Sequence, residues 1–230
     1  MKIAKLVFKT LDKKIKFSSS LRDGNILYPG EVIATLQGEA RYLLMGERTA
    51  LNFLQRLSGI ATLTRRFVDR CQNTKVKILD TRKTTPGLRL LEKYAVRVGG
   101  GKNHRMGLYD MILIKDNHIA MAGGIDEAIR RAKKSRKKVG LEVEVKNLKE
   151  LREALGLKVK RIMLDNMGVR EVKKAVELAK GTTKLEVSGG INLRNVRKYA
   201  ETGVDYISIG ALTHSARALD ISMEIENLIR

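Results

Sequence analysis

Residues 184–214 read KLEVSGGINLRNVRKYAETGVDYISIGALTH, and this stretch contains the pattern that decides the fold. Lys184–Val187 and Asp205–Ile209 are short apolar runs that predict strands, and Leu193–Thr202 between them predicts a helix. Asn192 is a suitable N-cap for this helix, and Gly203 is a suitable terminator. A strand, a helix and a second strand in this order predict a parallel pair of strands.

The same alternation of strands and helices extends upstream to about residue 74. Four further strands are predicted at Val76–Leu79, Ile112–Ile114, Leu141–Val145 and Arg161–Leu164, and two further helices at Leu148–Leu155 and Val169–Ala179. Six strands spaced this regularly by helices indicate an α/β barrel with parallel strands. In such barrels the active site lies at the carboxyl ends of the strands.

The first 70 residues have a different pattern. Met1–Leu11 predicts a helix with one apolar face, and a short β region follows at Lys14–Ser18 and Val32–Leu36. A long helix is predicted over Glu47–Cys71. Its apolar side chains do not form a single stripe, so we expect this helix to pack on more than one side.

The chain of 230 residues carries 46 Lys and Arg against 25 Asp and Glu, a formal net charge of +21 that attracts anions. Part of this charge lies in one cluster at a helix end: Arg130, Arg131, Lys133, Lys134, Arg136, Lys137 and Lys138. A solvated surface is the simpler interpretation of the cluster, and nucleic-acid binding is the alternative. Because the sequence offers no aromatic stacking platform and no recognition-helix motif, we expect no nucleic-acid partner.

Composition also indicates what kind of core the chain has and in which environment it folds. A hydrophobic fraction of 43 % with only 4 % aromatic residues predicts an aliphatic core. No run of about 18 apolar residues occurs, so no membrane-spanning segment is expected. The single cysteine, Cys71, excludes an internal disulfide bond and fits a reducing, cytoplasmic environment.

Glycine-containing loops follow the last two predicted strands. Ser188-Gly189-Gly190 follows the first, and Gly210-Ala211-Leu212-Thr213-His214 follows the second. Glycine lets the backbone approach a ligand, and N–H groups at a helix start bind anions. Because barrels commonly bind a phosphate with the loops after their last two strands, a phosphate site is predicted here. Ordinary strand-to-helix turns are the alternative.

Three carboxylates are predicted at the same mouth. Glu142 and Glu144 lie two residues apart on one strand, so both face the barrel interior, and Asp165 ends the next strand. Carboxylate oxygens suit Mg²⁺, especially where substrate phosphates complete its set of ligands. Glu144 and Asp165 are therefore the predicted metal ligands, and Glu142 is expected to be structural. The alternative is that these carboxylates form ion pairs with Arg82, Lys83 and Lys115.

Cationic side chains are predicted around the other side of the mouth: Arg82, Lys83, His104, Arg105 and Lys115. Arginine forks suit carboxylates and phosphates. A run of three glycines shortly before His104 allows close approach of the backbone, so ligand binding is the favoured role of His104 and capping of its loop is the alternative. No nucleophile lies beside a general base, so no covalent intermediate is expected.

A series of segments resembles the motifs of the quinolinate phosphoribosyltransferase family. The segments are Glu47–Asn52 (ERTALN), Leu57–Thr62 (LSGIAT), Asp80–Thr84 (DTRKT), Asn103–Arg105 (NHR), Ile114–His118 (IKDNH), Glu142–Val145 (EVEV), Leu164–Asn166 (LDN), Ser188–Ile191 (SGGI) and Gly210–Ser215 (GALTHS). They follow the family's order, and nearly its spacing, over almost the whole chain. Each segment is weak evidence alone, but the series is specific.

The resemblance implies an incomplete α/β barrel of six parallel strands with a smaller N-terminal α/β-sandwich domain. Residues 1–72 would form the small domain with its linking helix, residues 73–215 the barrel, and residues 216–230 a C-terminal helix that packs back on the small domain. Family members carry some tens of residues before the position that matches Met1. The small domain is therefore expected to be shortened here, through a misassigned start or a genuine truncation.

The family's activity is the implied function of this chain: transfer of the phosphoribosyl group of phosphoribosyl pyrophosphate to quinolinate with decarboxylation. The quinolinate carboxylates would be held by Arg82, His104, Arg105 and Lys115, and the pyrophosphate would lie near Lys83. Mg²⁺ or the ribose hydroxyls would be bound by Glu144 and Asp165. The 5-phosphate would be cradled by Ser188, Gly189, Gly190, Gly210, Ala211 and His214. The residues expected to take part in catalysis are Lys83, Arg105, Lys115, Glu144 and Asp165.

The resemblance also implies a homodimer, or a higher oligomer of dimers, in which Arg48 reaches the partner's site. Two other functions stay open. One is a paralogue with the same barrel that acts on another aromatic acid, like the homologue found with molybdate transport. The other is an inactive, shortened form that only binds phosphate. Joint retention of the cationic set argues against the paralogue: Arg48, Arg82, His104, Arg105 and Lys115.

Overall fold

The computed structural model describes residues 1–134 and 139–226. The chain begins with helix α1 (Lys2–Leu11), an antiparallel pair of strands, β1 (Lys16–Ser18) and β2 (Thr35–Gln37), and the long helix α2 (Ala40–Arg70). The elements that follow are β3 (Lys77–Leu79), α3 (Arg89–Val98), β4 (Met111–Ile114), α4 (Asp116–Ala122), α5 (Ile125–Lys134), β5 (Gly140–Val145), α6 (Leu148–Gly156), β6 (Arg161–Asp165), α7 (Val169–Ala179), β7 (Lys184–Ser188), α8 (Val196–Ala200), β8 (Tyr206–Ser208) and α9 (Ala211–His214).

The second sheet confirms the prediction of six parallel strands. Its strand order is β3-β8-β7-β6-β5-β4, and every neighbouring pair is parallel. Among the described residues no strand pairing joins β3 to β4, so the barrel is incomplete, as expected. Because all six strands run the same way, their carboxyl ends meet at one mouth.

Side chains alternate between the barrel interior and the surrounding helices. On β5, Val143 and Val145 are fully buried in the hydrophobic cluster beneath the helices. Glu142 and Glu144, which alternate with them, are also buried and face the interior. The cluster contains Ile, Leu, Val and Ala almost exclusively, so the predicted aliphatic core is confirmed.

Helix α2 begins at Ala40 rather than at the predicted Glu47, and it packs on two sides, as expected. Its first half joins a small cluster in which Ala50 packs with Phe8 of α1. Its second half contributes Ile60 to the core of the barrel. Close approach of α1 explains Gly46, since a Cβ there would lie 2.8 Å from the Phe8 ring.

Several helices differ from the prediction. The sequence does not predict helices α3 and α4, because these stretches lack strong caps beside a long apolar period. Helix α5 agrees with the predicted helix end that carries the basic cluster. Helix α8 begins at Val196 instead of Leu193. The Asn192 side chain does not cap it: Asn192 Oδ1 accepts from the Arg194 N–H at 2.9 Å and closes a turn that precedes the helix. Gly203 does end this region, with a φ of +90°.

The predicted C-terminal helix is wrong for residues 216–226, which have no regular secondary structure; residues 227–230 lie outside the described part. Side-chain and backbone groups of α2 form hydrogen bonds with the backbone of this segment instead. The Leu219 N–H donates to the Gln55 carbonyl at 3.0 Å, and Gln55 Nε2 donates to the Ile221 carbonyl at 2.8 Å. Met223 packs on the small cluster near α1, so the segment returns to the N-terminal region in extended form.

Helix α5 carries part of the predicted basic cluster. Arg130 pairs with Asp126, and Arg131 pairs with Glu127 at 2.7 Å, each one turn away. These arginine side chains are more than 60 % exposed, which agrees with a solvated surface. Arg136, Lys137 and Lys138 lie outside the described residues. Across residues 1–134 and 139–226, no helix has the combination of length and apolar character needed to cross a bilayer.

Candidate active site

A cavity of about 660 Å³ opens at the carboxyl ends of the barrel strands. It brings together all the sequence-predicted site residues except Arg48: Arg82, Lys83, His104, Arg105, Lys115, Glu144, Asp165, Ser188, Gly189, Gly190, Gly210, Ala211 and His214. Thr81, Asn166 and Ser208 also line it and were not predicted. The argument from strand ends therefore located one shared mouth.

The two glycine loops follow the neighbouring strands β7 and β8. Gly189 and Gly190 have φ values of +93° and +61°, which favour glycine. A Cβ on Gly189 would lie 2.1 Å from Asn166 Oδ1, and one on Gly210 would lie 3.0 Å from His214 Nε2. The first loop does not run directly into a helix, since α8 begins only at Val196. Close backbone approach, rather than a helix start, is what this loop offers a ligand.

Two carboxylates lie on adjacent strands at the mouth. Glu144 of β5 is paired with Lys115 at 2.7 Å; the Glu144 side chain is 8 % exposed and that of Lys115 is 47 % exposed. Asp165, at the end of β6, accepts from Asn166 Nδ2 at 2.9 Å. Glu144 therefore forms one of the ion pairs that the sequence analysis gave as the alternative to metal binding. Glu144 and Asp165 both line the cavity.

The cationic side has little internal compensation. Burial, reinforced by the nearby Arg82, lowers the pKa of Arg105, whose guanidinium donates to the Met111 carbonyl at 3.2 Å. Arg82 Nε is buried without a hydrogen-bond partner among the described residues. The Lys83 carbonyl accepts from Thr213 Oγ1 at 2.7 Å, which ties this strand end to α9. Cations gathered without matching carboxylates provide an anion site.

Beneath the cavity, four charged or titratable side chains from different strands and loops meet. His104 Nε2 lies 3.0 Å from Glu142 Oε2 and 3.4 Å from Glu186 Oε1. Arg161 pairs with both carboxylates, at 3.1 Å to Glu142 and closer to Glu186, and its guanidinium lies 4.4 Å from the centre of the Tyr206 ring. We call His104, Glu142, Arg161 and Glu186 the floor network.

Burial shifts the pKa values of Glu142, Glu186 and His104 in the floor network. Glu142 and Glu186 have no exposed surface, and desolvation raises the pKa of each carboxyl. Desolvation also lowers the pKa of His104, which favours a neutral imidazole. His104 Nδ1 accepts from the Arg105 backbone N–H at 2.8 Å. Nδ1 therefore has a hydrogen-bond partner, whereas Nε2 lies close to both carboxylates without hydrogen-bond geometry to any described residue. Binding of a ligand carboxylate by His104 stays a prediction.

A second buried pair holds the backbone of the same loop. Asp80 and Lys93 form an ion pair in which neither side chain has any exposed surface. Asp80 accepts from the His104 N–H at 2.8 Å, and Lys93 Nζ donates to the His104 carbonyl at 3.0 Å. Asn103 Nδ2 also donates to Asp80. The His104 backbone is thus held on both sides by one charged pair.

Sequence reasoning missed three of these residues, of which Glu186 and Lys93 are buried and Arg161 is partly exposed. Glu186 lies two positions before Ser188 on β7, so the period-2 argument applied to Glu142 and Glu144 also places it in the interior. Arg161 begins β6 and shares its register position with Glu142 and Lys184, a signal that needs the strand pairing. Lys93 lies on α3, and no local pattern separates it from a surface lysine.

Arg48 and His118 lie apart from the cavity. Arg48 is on α2, its side chain is 71 % exposed, and its guanidinium lies 3.8 Å from the Glu47 carboxylate. Its expected role in a partner's site stays a prediction. His118 Nδ1 accepts from the Lys115 backbone N–H at 2.9 Å, which agrees with a structural role in holding the start of α4.

Two family models match consecutive parts of the chain. Residues 1–58 match the one described as the quinolinate phosphoribosyl transferase N-terminal domain, and residues 60–224 match the corresponding C-terminal domain. The junction lies within α2, whereas the predicted division at residue 72 lies just after that helix. Together the two models cover nearly all of the chain.

Similar curated proteins and solved structures agree with this match. The chain is 50 % identical over 224 residues to a probable carboxylating nicotinate-nucleotide pyrophosphorylase of Bacillus subtilis, covering 97 % of this chain and 78 % of that one. It is 44 % identical to the decarboxylating quinolinate phosphoribosyltransferase 2b of Nicotiana tabacum, covering 97 % and 69 %. The crystal structure of an Ehrlichia chaffeensis nicotinate-nucleotide pyrophosphorylase superposes with a TM-score of 0.94 at 48 % identity, covering 98 % and 82 %.

Proposed function

The chain belongs to the quinolinate phosphoribosyltransferase family, and on that premise we propose that it performs this family's reaction in its own cavity. The phosphoribosyl group of phosphoribosyl pyrophosphate is transferred to the ring nitrogen of quinolinate, and pyrophosphate and carbon dioxide leave. Nicotinate mononucleotide is the product. The observation that carries the proposal is the mouth of the barrel, where glycine loops, uncompensated cations and two carboxylates surround one cavity.

The cavity has separate regions for the two substrates. The loops after β7 and β8 suit the 5-phosphate, because Gly189, Gly190 and Gly210 keep the backbone close to the cavity. Arg82, Arg105 and Lys115 suit the two carboxylates of quinolinate, since guanidinium forks match carboxylate geometry. Lys83 contacts the Gly210 region and so lies between the two, where the pyrophosphate would depart.

The donor set at the mouth fits Mg²⁺. Glu144 and Asp165 offer oxygen ligands from adjacent strands within one cavity, and this ion is commonly held by one or two carboxylates together with water and substrate phosphates. Glu144 and Asp165 would hold the ion. When bound, it would neutralise the charge of the pyrophosphate.

The chain's contribution to the chemistry is positioning and preorganised charge. As the bond from ribose C1 to the pyrophosphate oxygen breaks, the pyridine nitrogen donates its electron pair to C1, which has oxocarbenium character. The resulting positive ring nitrogen stabilises a carbanion at the adjacent carbon, so the 2-carboxylate leaves as carbon dioxide and a proton takes its place. Arg105 and Lys115 orient the ring for attack, and Lys83 stabilises the leaving group.

We also propose that the chain forms a homodimer. Arg48 faces solvent in the single chain, and the exposed apolar side chains Leu44 and Met45 lie beside it on α2. An apolar surface around an exposed arginine supports a subunit contact that delivers Arg48 to a partner's mouth. A cytoplasmic location is supported by the one cysteine, Cys71, which is free and buried.

Mixing two inactive variants tests the delivery of Arg48. Arg48→Ala and Lys115→Ala subunits would each be inactive alone. Random reassociation would restore one intact site in half of the dimers, so about a quarter of wild-type activity would return. Absence of recovery from a mixture shown to exchange subunits would contradict a role for Arg48 in the partner's site.

Release of labelled carbon dioxide from quinolinate carrying label in its 2-carboxylate tests the reaction itself. Release is expected only when phosphoribosyl pyrophosphate and Mg²⁺ are both present, and it should be lost in Lys115→Ala. Lys149→Ala is the matched control, because Lys149 is exposed on α6 away from the cavity. Turnover of nicotinate in place of quinolinate would favour the paralogue. Phosphate binding without any turnover would favour an inactive form.

A further inference from the structure

The floor network holds His104 by contacts on opposite edges of its ring. Nδ1 accepts a hydrogen bond from the Arg105 N–H, so Nδ1 carries no proton. A neutral imidazole then has its proton on Nε2, which lies between the carboxylates of Glu142 and Glu186. The contact with Arg105 therefore specifies one tautomer, and the two carboxylates are placed to stabilise it.

Arg161 keeps the two carboxylates in that position. Its guanidinium contacts Oε1 of Glu142 and Oε2 of Glu186, which leaves Glu142 Oε2 and Glu186 Oε1 facing His104. The ring of Tyr206 lies against the guanidinium and covers it from the other end of the barrel. Each carboxylate therefore has one oxygen for the arginine and one for the histidine.

The floor network is connected to the mouth of the barrel through Arg105. The Arg105 N–H is bonded to His104, and its guanidinium lines the cavity and is anchored by the Met111 carbonyl at 3.2 Å. The Arg105 residue is thus held at two points, its backbone N–H by His104 and its guanidinium by the Met111 carbonyl. Rotation of His104 would remove the acceptor for that backbone group.

We propose that Glu142, Glu186 and Arg161 are positioning residues, which hold His104 as the Nε2-protonated tautomer so that its Nδ1 fixes Arg105 for quinolinate. This proposal rests on the proposed function and assigns His104 a supporting role rather than direct contact with a substrate carboxylate. Substitution of the outer partners of metal-binding histidines typically costs about 10–100-fold in activity, and we expect an effect of that order here.

Two substitutions of His104 distinguish positioning from direct binding. Asparagine at this position places an acceptor near that of Nδ1, and glutamine places a polar group near that of Nε2. Positioning predicts that His104→Asn retains at least about tenfold more kcat/KM for quinolinate than His104→Gln, with the difference mainly in KM. The reverse order would overturn the proposal, because it would mean that the Nε2 edge binds the substrate.

Nitrogen NMR of labelled histidine tests the tautomer without any turnover. The chain has only three histidines, so the His104 signal is assigned by its absence in His104→Asn. A neutral ring protonated at Nε2 is expected in the wild type. A metal-bound Nε2 or a proton on Nδ1 would contradict the proposal. If quinolinate is not turned over at all, the proposed function fails, while this measurement still decides the network.

Glu186→Gln supplies a kinetic test in the folded protein. It is expected to lower kcat/KM by about 10–100-fold and to raise KM for quinolinate more than KM for phosphoribosyl pyrophosphate. Asp205→Asn is the matched control, since Asp205 pairs with Lys184 at 2.8 Å at the opposite end of the barrel. Equal kinetics in the two variants would show that Glu186 does not position His104.

Discussion

The mouth and the floor of the same barrel differ in how their charged side chains are paired. In the mouth, Arg82 and Arg105 lie close together, and Lys115 is nearly half exposed beside its one carboxylate partner. In the floor, Glu142 and Glu186 have no exposed surface, and Arg161 matches both. The mouth therefore lacks the charges that a dianionic ligand brings, whereas the floor already holds its acidic groups against a cation of the same chain. Substitutions in the mouth should affect activity, and substitutions in the floor should affect stability as well.

Removal of a mouth cation should produce the largest effect. Arg105→Ala is expected to lower kcat/KM for quinolinate by about 1,000-fold, because a preorganised guanidinium is lost from a partly buried site. Its melting temperature should not fall, since burial and Arg82 already disfavour this cation. Steady-state kinetics and calorimetry measure both quantities, with the exposed Arg152→Ala as the control. Wild-type kinetics in Arg105→Ala would show that the mouth is wrongly assigned.

Removal of the floor cation should shift stability instead. Arg161→Met leaves two carboxylates buried without their counter-charge, which is expected to cost about 3–5 kcal/mol of the free energy of unfolding. Urea denaturation measures the loss. A stability loss no larger than that of Arg105→Ala would remove the contrast between the two regions.

A smaller effect is expected from the glycine loop. Gly189→Ala places a Cβ 2.1 Å from Asn166 Oδ1 at a φ of +93°, so the loop must move. Strain of this kind costs about 1–3 kcal/mol, and we expect KM for phosphoribosyl pyrophosphate to rise by about tenfold or more. Gly181→Ala has a similar φ of +74° with open space around it, and it should leave this KM unchanged. A similar rise in both variants would point to general strain rather than to a phosphate loop.

The smallest effect is a dependence of stability on pH. Because burial lowers the pKa of His104 below its unfolded value of about 6.5, its contribution to stability is present above that pH and is lost as pH falls toward the folded-state pKa. Between pH 7.5 and 5.5 the wild type should lose up to about 1 kcal/mol more than His104→Asn. Urea denaturation at the two pH values compares them. A smaller loss in the wild type would mean that His104 is protonated in the folded state.

Most of the fold and of the mouth could be predicted from local sequence. The Gly189 and Gly210 loops, the paired Glu142 and Glu144, and the cations after β3 and β4 all follow strand ends, and strand ends converge in any parallel barrel. The C-terminal helix was wrong because residues 216–226 satisfy their backbone groups against α2, a partner far away in the sequence. Such compensation has no local signal.

The sequence by itself determined most of the residues that meet at the mouth, because the alternation of strands and helices and the glycines that end them are local properties. Only the tertiary structure decided how the charges pair. His104 comes from a loop, Glu142, Arg161 and Glu186 from three strands, and their contacts depend on the register of the sheet. A buried charge is stable only where its counter-charge is within reach, and that distance is a property of the folded barrel rather than of any one segment.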